Sequence, residues 1–171
     1  MRTLIQAQQI ADRLEALSRS IAAEMPPDFL MMVMMKGAMV FGADLMRALW
    51  REGARPRIDV MTASNYAVSQ ARSGEATLIG DIPGGIKRAN ILLVDDVADT
   101  GASLDGARAR LFRAGASTVK VCVLLNKPSR RTVPAPLDFV GFEIDDVTAA
   151  GYGMDHNGDL RYLPHVVAVD G

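Results

Sequence analysis

The segment Val94-Asp95-Asp96-Val97-Ala98-Asp99-Thr100-Gly101-Ala102-Ser103-Leu104 leaves an apolar run through two adjacent acids and enters a helical pattern through small and hydroxyl residues. That order suits a sugar phosphate. Backbone N–H groups at a helix start, together with the hydroxyls of Thr100 and Ser103, form a cradle for a monoester phosphate. Carboxylates beside the phosphate would repel it, whereas Asp95 and Asp96 at a strand end can accept hydrogen bonds from a ribose diol. An acid pair at a strand end, or a capping Asp or Thr before a helix, is common by itself. The full run is far more specific.

The elements that must hold this segment are legible as short apolar runs alternating with amphipathic stretches. Phe29 to Met35 and Asn90 to Val94 read as strands covered on both faces, Arg57 to Thr62 and Thr118 to Leu125 as two more. Phe41, Leu45 and Leu49 recur at helical spacing, as do Leu104, Ala107 and Leu111, whose helix closes at Gly115. Met1 to Ala23 reads as an amphipathic helix carrying Leu4, Ile10, Leu14 and Leu17. Ser64 to Gly80 is polar and aperiodic, a flexible loop or an exposed hairpin. From Pro134 onward, Phe139 to Ile144 and Val166 to Val169 read as small strands and a cap over the site. The alternation predicts an α/β fold, a mostly parallel central sheet flanked by helices, with ligands outside the carboxyl ends of the strands.

The whole chain narrows the function classes. Its 171 residues suit a single domain, 1–171, and the apolar share of 49% with 23% charged residues excludes a disordered or collagen-like chain. A formal net charge of -1 gives no general attraction for nucleic acid. The most apolar stretch, Phe29 to Met35, ends at Lys36 and Gly37, well short of the roughly 20 residues needed to span a membrane. Cys122, the only cysteine, lies in an apolar run and reads as buried filler, and a reducing, cytoplasmic location fits.

The eleven residues from Val94 to Leu104 closely resemble the signature of the type I phosphoribosyltransferases. Three further segments narrow the resemblance to the hypoxanthine-guanine phosphoribosyltransferases and extend it over most of the chain. Met35-Lys36-Gly37 with Phe41-Gly42-Ala43-Asp44-Leu45 is similar to the family's pyrophosphate loop and following helix. Leu124 to Arg131 is similar to its purine-recognition strand end, and Asp138 to Ile144 with Gly151 to Asp155 and Arg161 to its C-terminal part.

The resemblance implies the type I fold with a small hood built from the N-terminus and roughly 134–171. It implies transfer of the 5-phosphoribosyl group from phosphoribosyl pyrophosphate (PRPP) to N9 of hypoxanthine or guanine, yielding IMP or GMP and pyrophosphate in purine salvage. Asp99 matches the general base near purine N7. Lys36, Gly37, Asp95, Asp96, Asp99, Thr100, Gly101, Ala102, Ser103 and Arg161 match the PRPP and nucleotide contacts. Lys127, Thr148 and Ala149 match the purine site, Asn65 and Tyr66 the flap that closes over it, and Asp95, Asp96 and Asp155 the residues near Mg2+. The Met35-Lys36 bond is a candidate non-proline cis peptide. On the residues alone, Lys36 and Arg161 read equally as surface cations.

The chain departs from the family's pattern at the base. Thr148 stands where an aromatic ring usually stacks on the purine, with Tyr152 as a candidate substitute, and Asn65 and Asn126 replace a usual serine and aspartate. A phosphoribosyltransferase for xanthine or another base, and a nucleotide-sensing regulator on the same fold, are therefore the alternative readings. A homodimer or homotetramer is expected from the family, and the methionines from Met31 to Met39 read either as an interface or as core.

Overall fold

The computed structural model describes residues 1–64, 77–79 and 84–169. In chain order the elements are β1 (Arg2–Ile5), α1 (Ala7–Glu24), β2 (Leu30–Met35), α2 (Met39–Arg51), β3 (Arg57–Ser64), β4 (Thr77–Ile79), β5 (Asn90–Ala98), α3 (Ala102–Arg113), β6 (Thr118–Asn126), β7 (Phe139–Glu143), β8 (Thr148–Ala150) and β9 (Val166–Val169). A six-stranded sheet runs in the order β4-β3-β2-β5-β6-β7. Its five strands from β3 to β7 are parallel, and β4 adds an antiparallel edge.

Period-two alternation in the strands sorts the core into two layers. Met31 and Val33 of β2, with Leu92 and Val94 of β5, pack under α1 and α2, while Leu30, Met32 and Met34, with Ile91 and Leu93, face α3. The methionines of β2 are thus core. On α1, Ile10, Leu14, Leu17 and Ile21 form the buried stripe, and Arg13 donates to the carbonyls of Gly141 at 2.7 Å and Val140 at 2.6 Å, tying the helix to the edge strand β7. Gly42 lets α2 approach β2 closely; a Cβ there would lie 2.9 and 3.0 Å from the Cγ atoms of Val33.

Two expectations change at the ends of the chain. Residues 2–5 form β1 instead of the first turn of α1, because their partner is β9, at the other end of the sequence. With β8 they make a three-stranded antiparallel hood, β1-β9-β8. Phe139–Glu143, read as part of the cap, pairs in parallel with β6 and extends the main sheet. No helix among the described residues is long and apolar enough to cross a membrane.

Replacing Gly42 with valine pushes two branched methyls into Val33 with no space to accept them. The urea unfolding midpoint of Gly42→Val is expected to fall by the equivalent of about 1 to 3 kcal/mol.

Candidate active site

The sheet order reverses between β2 and β5: chain connections run outward from β2 to β3 and, on the other side, from β5 to β6 and β7. The carboxyl ends of β2 and β5 therefore flank an open crevice, the place where α/β sheets bind ligands. A cleft of about 900 Å³ lies there, with Lys36, Gly37, Asp95, Asp96, Asp99 and Ser103 in its walls. The Met35-Lys36 peptide bond at the end of β2 is cis, as the sequence suggested. Gly37 lies against Asp96 so closely that a Cβ would overlap its carboxylate.

β5 runs on through Asp95 and Asp96 to Ala98, so the two acids belong to the strand and not to the loop after it. The Asp95 carboxylate accepts the Asp96 N–H at 3.0 Å, and that of Asp96 accepts the Val97 N–H at 2.9 Å. Burial pushes the Asp95 carboxyl well above the usual carboxylate range, and the charge of Asp96 adds to this. Asp96 is also raised by burial, with Asp95 and the Val97 N–H as hydrogen-bond partners, and Arg161 as a nearby charge, opposing the shift. An empty site therefore favours a proton on this pair. A ligand with hydroxyls to donate removes that need.

After β5, Asp99, Thr100 and Gly101 form the turn into α3, which begins at Ala102. Gly101 has φ +92°, in the left-handed region that glycine tolerates, and a side chain there would also meet the carbonyl of Val133 at 2.7 Å. The Thr100 carbonyl accepts the N–H groups of Thr132 and Val133 at 3.0 and 3.1 Å. Arg131 donates to Asn126 at 2.5 Å, and Asn126 reaches Glu143 at 3.4 Å. Asn126 is thus a buckle between strand ends and is not among the residues lining the cleft.

At the base end, Lys127 is only 8% exposed yet lines the cleft, and its side chain has no hydrogen-bond partner among the described residues. Thr148 and Ala149 of β8, with Val147, line the same cleft. Sequence reasoning missed Arg130 and Asp146. The Arg130 Nε sits 3.1 Å from Asp99 and 3.6 Å from Asp146, inside the same cleft. The Asp-containing loop and an Arg after Lys127 were visible as motif residues, but not their convergence.

Tyr152 does not take the place of the missing ring. Its hydroxyl donates to Asp44 of α2 at 2.6 Å, and it lines a separate groove against α1 and α2. Burial and the Asp44 carboxylate push its phenol upward, so it stays protonated and donating. This bond and its burial hold Tyr152 at φ +50°, between Gly151 and Gly153, which also have positive φ.

At the opposite end, Arg161 donates to the Gly153 carbonyl at 2.6 Å and pairs with Asp155, which also accepts the Gly158 N–H at 3.0 Å. Asp95, Asp96 and Asp155 share the cleft, but no cluster of three or more His, Cys, Asp or Glu suited to a metal ion occurs among the described residues. Asn65 and Tyr66 lie outside the described residues.

Residues 2–157 match the family model of the phosphoribosyl transferase domain. The chain belongs to the phosphoribosyltransferases. Within them it falls among the hypoxanthine-guanine members. It is 31% identical over 166 residues to the hypoxanthine phosphoribosyltransferase of Escherichia coli K12, covering 95% of this chain and 92% of that one. To the hypoxanthine-guanine phosphoribosyltransferase of Bacillus subtilis it is 32% identical over 167 residues, covering 96% and 91%. A crystal structure of a hypoxanthine-guanine phosphoribosyltransferase from Bacillus anthracis superposes with a TM-score of 0.92 at 31% identity, covering 99% of each chain. The Trypanosoma cruzi hypoxanthine phosphoribosyltransferase, solved with the product IMP, gives 0.90 at 26% identity, covering 99% and 94%.

The raised acids give this phosphoribosyltransferase a defined pH dependence. A carboxyl whose folded value lies above its unfolded one stabilises the fold fully below the unfolded value, and that contribution is lost as pH rises through the folded value. Asp95→Asn removes the penalty, so at pH 7 the ligand-free variant is expected to melt above wild type. The gain should vanish as pH approaches about 4. Scanning calorimetry across pH 4 to 8 checks it.

Proposed function

We propose that the enzyme transfers the 5-phosphoribosyl group from PRPP to N9 of hypoxanthine or guanine, releasing pyrophosphate. The observation that carries this reading is the buried Lys127 at the same cleft as the Asp95-Asp96 pair and the Lys36-Gly37 loop. A lysine ammonium only donates hydrogen bonds, so it accepts a purine with oxygen at C6 and rejects the donating amino group of adenine. Leaving that donor unpaired costs about 1 to 3 kcal/mol, enough to separate the two classes of base.

In this reading the N–H groups and hydroxyls from Thr100 to Ser103 hold the 5′-phosphate at the start of α3. Asp95 and Asp96 accept the ribose hydroxyls, and their negative charge lies where C1′ gains oxocarbenium character as the pyrophosphate departs. Lys36, the Gly37 backbone and Arg161 hold that leaving group. Asp99 accepts the proton that the purine sheds on forming the bond from N9 to C1′.

Mg2+ is part of the proposal: held with the help of the chain's acids at this end of the cleft, it would supply positive charge to offset that of the departing pyrophosphate. The chain's donors there, Asp95, Asp96 and Asp155, are all oxygen ligands. Their failure to form a closed cage suits a cation that keeps waters and substrate phosphates in its shell. We also propose a homodimer or homotetramer, supported by the exposure of Met39 and Trp50 on α2 and Ile58 and Val60 on β3. Light scattering after size-exclusion chromatography measures that directly.

Initial rates with PRPP and Mg2+ against hypoxanthine, guanine, xanthine, adenine and uracil test the reaction. Turnover is expected with 6-oxopurines and to stop with chelator. Asp99→Ala should lower kcat by about 100-fold or more, the usual contribution of a general base. A folded wild-type protein inert toward every 6-oxopurine would overturn the reading.

A further inference from the structure

The base end of the cleft has no ring. None of the described residues lining it is Phe, Tyr, Trp or His, and the Tyr152 hydroxyl is engaged on α2. A purine gripped at its edge by Lys127 alone would be free to tilt about that contact, and tilting moves N9 off the line of attack on C1′. The cleft nonetheless contains one planar group at the right end, the guanidinium of Arg130. Guanidinium planes stack on nucleobases much as aromatic rings do.

We propose that Arg130 is the platform on which the purine ring lies, making it a base-binding and specificity-determining residue in place of an aromatic side chain. The inference rests on the purine reading above. A single 3-10 turn, Pro128–Arg130, follows Lys127, and the Arg130 N–H bonds the Lys127 carbonyl at 3.1 Å. The turn brings the Arg130 backbone back to Lys127, and both side chains line the same cleft.

Asp99 and Asp146 anchor the guanidinium from two walls of the cleft, and both do so through Nε, at 3.1 and 3.6 Å. With the three side chains between 43% and 54% exposed, these pairs are weak enough to let the plane adjust when a base enters. Thr148, exposed and also in the cleft lining, supplies no competing ring face.

The test measures the KM for hypoxanthine and for PRPP, and the Kd for IMP by calorimetry, in wild type, Arg130→Ala, Arg130→Lys, Thr148→Phe and the double variant. Arg130→Ala is expected to raise the hypoxanthine KM and the IMP Kd about tenfold, as loss of one stacking contact does, with the PRPP KM changed less than twofold. Lysine, charged but not planar, should fail to rescue, and Thr148→Phe should restore the alanine variant to within about threefold of wild type. Full rescue by lysine, an equal rise in both KM values, or no change in Arg130→Ala overturns the platform while leaving the reaction standing. A wild type that binds neither hypoxanthine nor IMP removes the purine reading and this inference with it.

Discussion

The structure is organised around two adjacent carboxylates held at the end of a buried strand. β5 is wholly apolar from Ile91 to Val94 and then carries Asp95 and Asp96 without leaving the sheet. Extended backbone sends successive side chains to opposite faces, yet at this strand end both carboxylates line the same cleft and act on each other. Asp95 goes into the interior and Asp96 to the wall that meets Gly37. Raising both carboxyls destabilises the empty protein, and a ribose diol is the kind of ligand that reverses the effect. The same geometry requires glycine at 37, since any side chain would occupy the space of the Asp96 carboxylate.

Much of this was legible in the sequence because it is local. The strands β2, β3, β5 and β6 are continuous apolar runs, and the segment from Asp95 to Ser103 is a contiguous pattern whose chemistry can be read from residue types. The hood was legible only as scattered pieces. β1 has no local signal distinguishing it from the start of α1, because what makes it a strand is hydrogen bonding to β9 at the far end of the chain. Phe139–Glu143 has the composition of any short strand, and only pairing with β6 assigns it to the main sheet.

The site shows the same division. Lys127 stood out by following a strand, but Arg130 acquires a role only when Asp99 and Asp146, from different loops, converge on it. Tyr152 looked available to stack because residue type alone does not give direction. Its left-handed backbone and the bond to Asp44 turn it toward the helices.

The two ends of the cleft are built with different stiffness. At the end of the cleft beside Lys36, Gly153 has φ +97°, and a Cβ there would meet the Gly37 carbonyl at 2.5 Å, so the backbone of the C-terminal segment lies directly on the loop after β2. Arg161 clasps that segment through the Gly153 carbonyl and Asp155, while Tyr152, between Gly151 and Gly153, fixes it to α2. Lys36, Gly37, Asp155 and Arg161 therefore share one backbone-packed block. The end beside Lys127 is held by half-exposed ion pairs from Arg130 and by the short edge strand β8. Backbone contacts tolerate little substitution, whereas exposed side-chain pairs can be exchanged at small cost. A fold partitioned in this way can keep the chemistry of PRPP constant while changing the surface that meets the base, which accounts physically for a chain that retains every phosphoribosyl motif and loses the ring at Thr148.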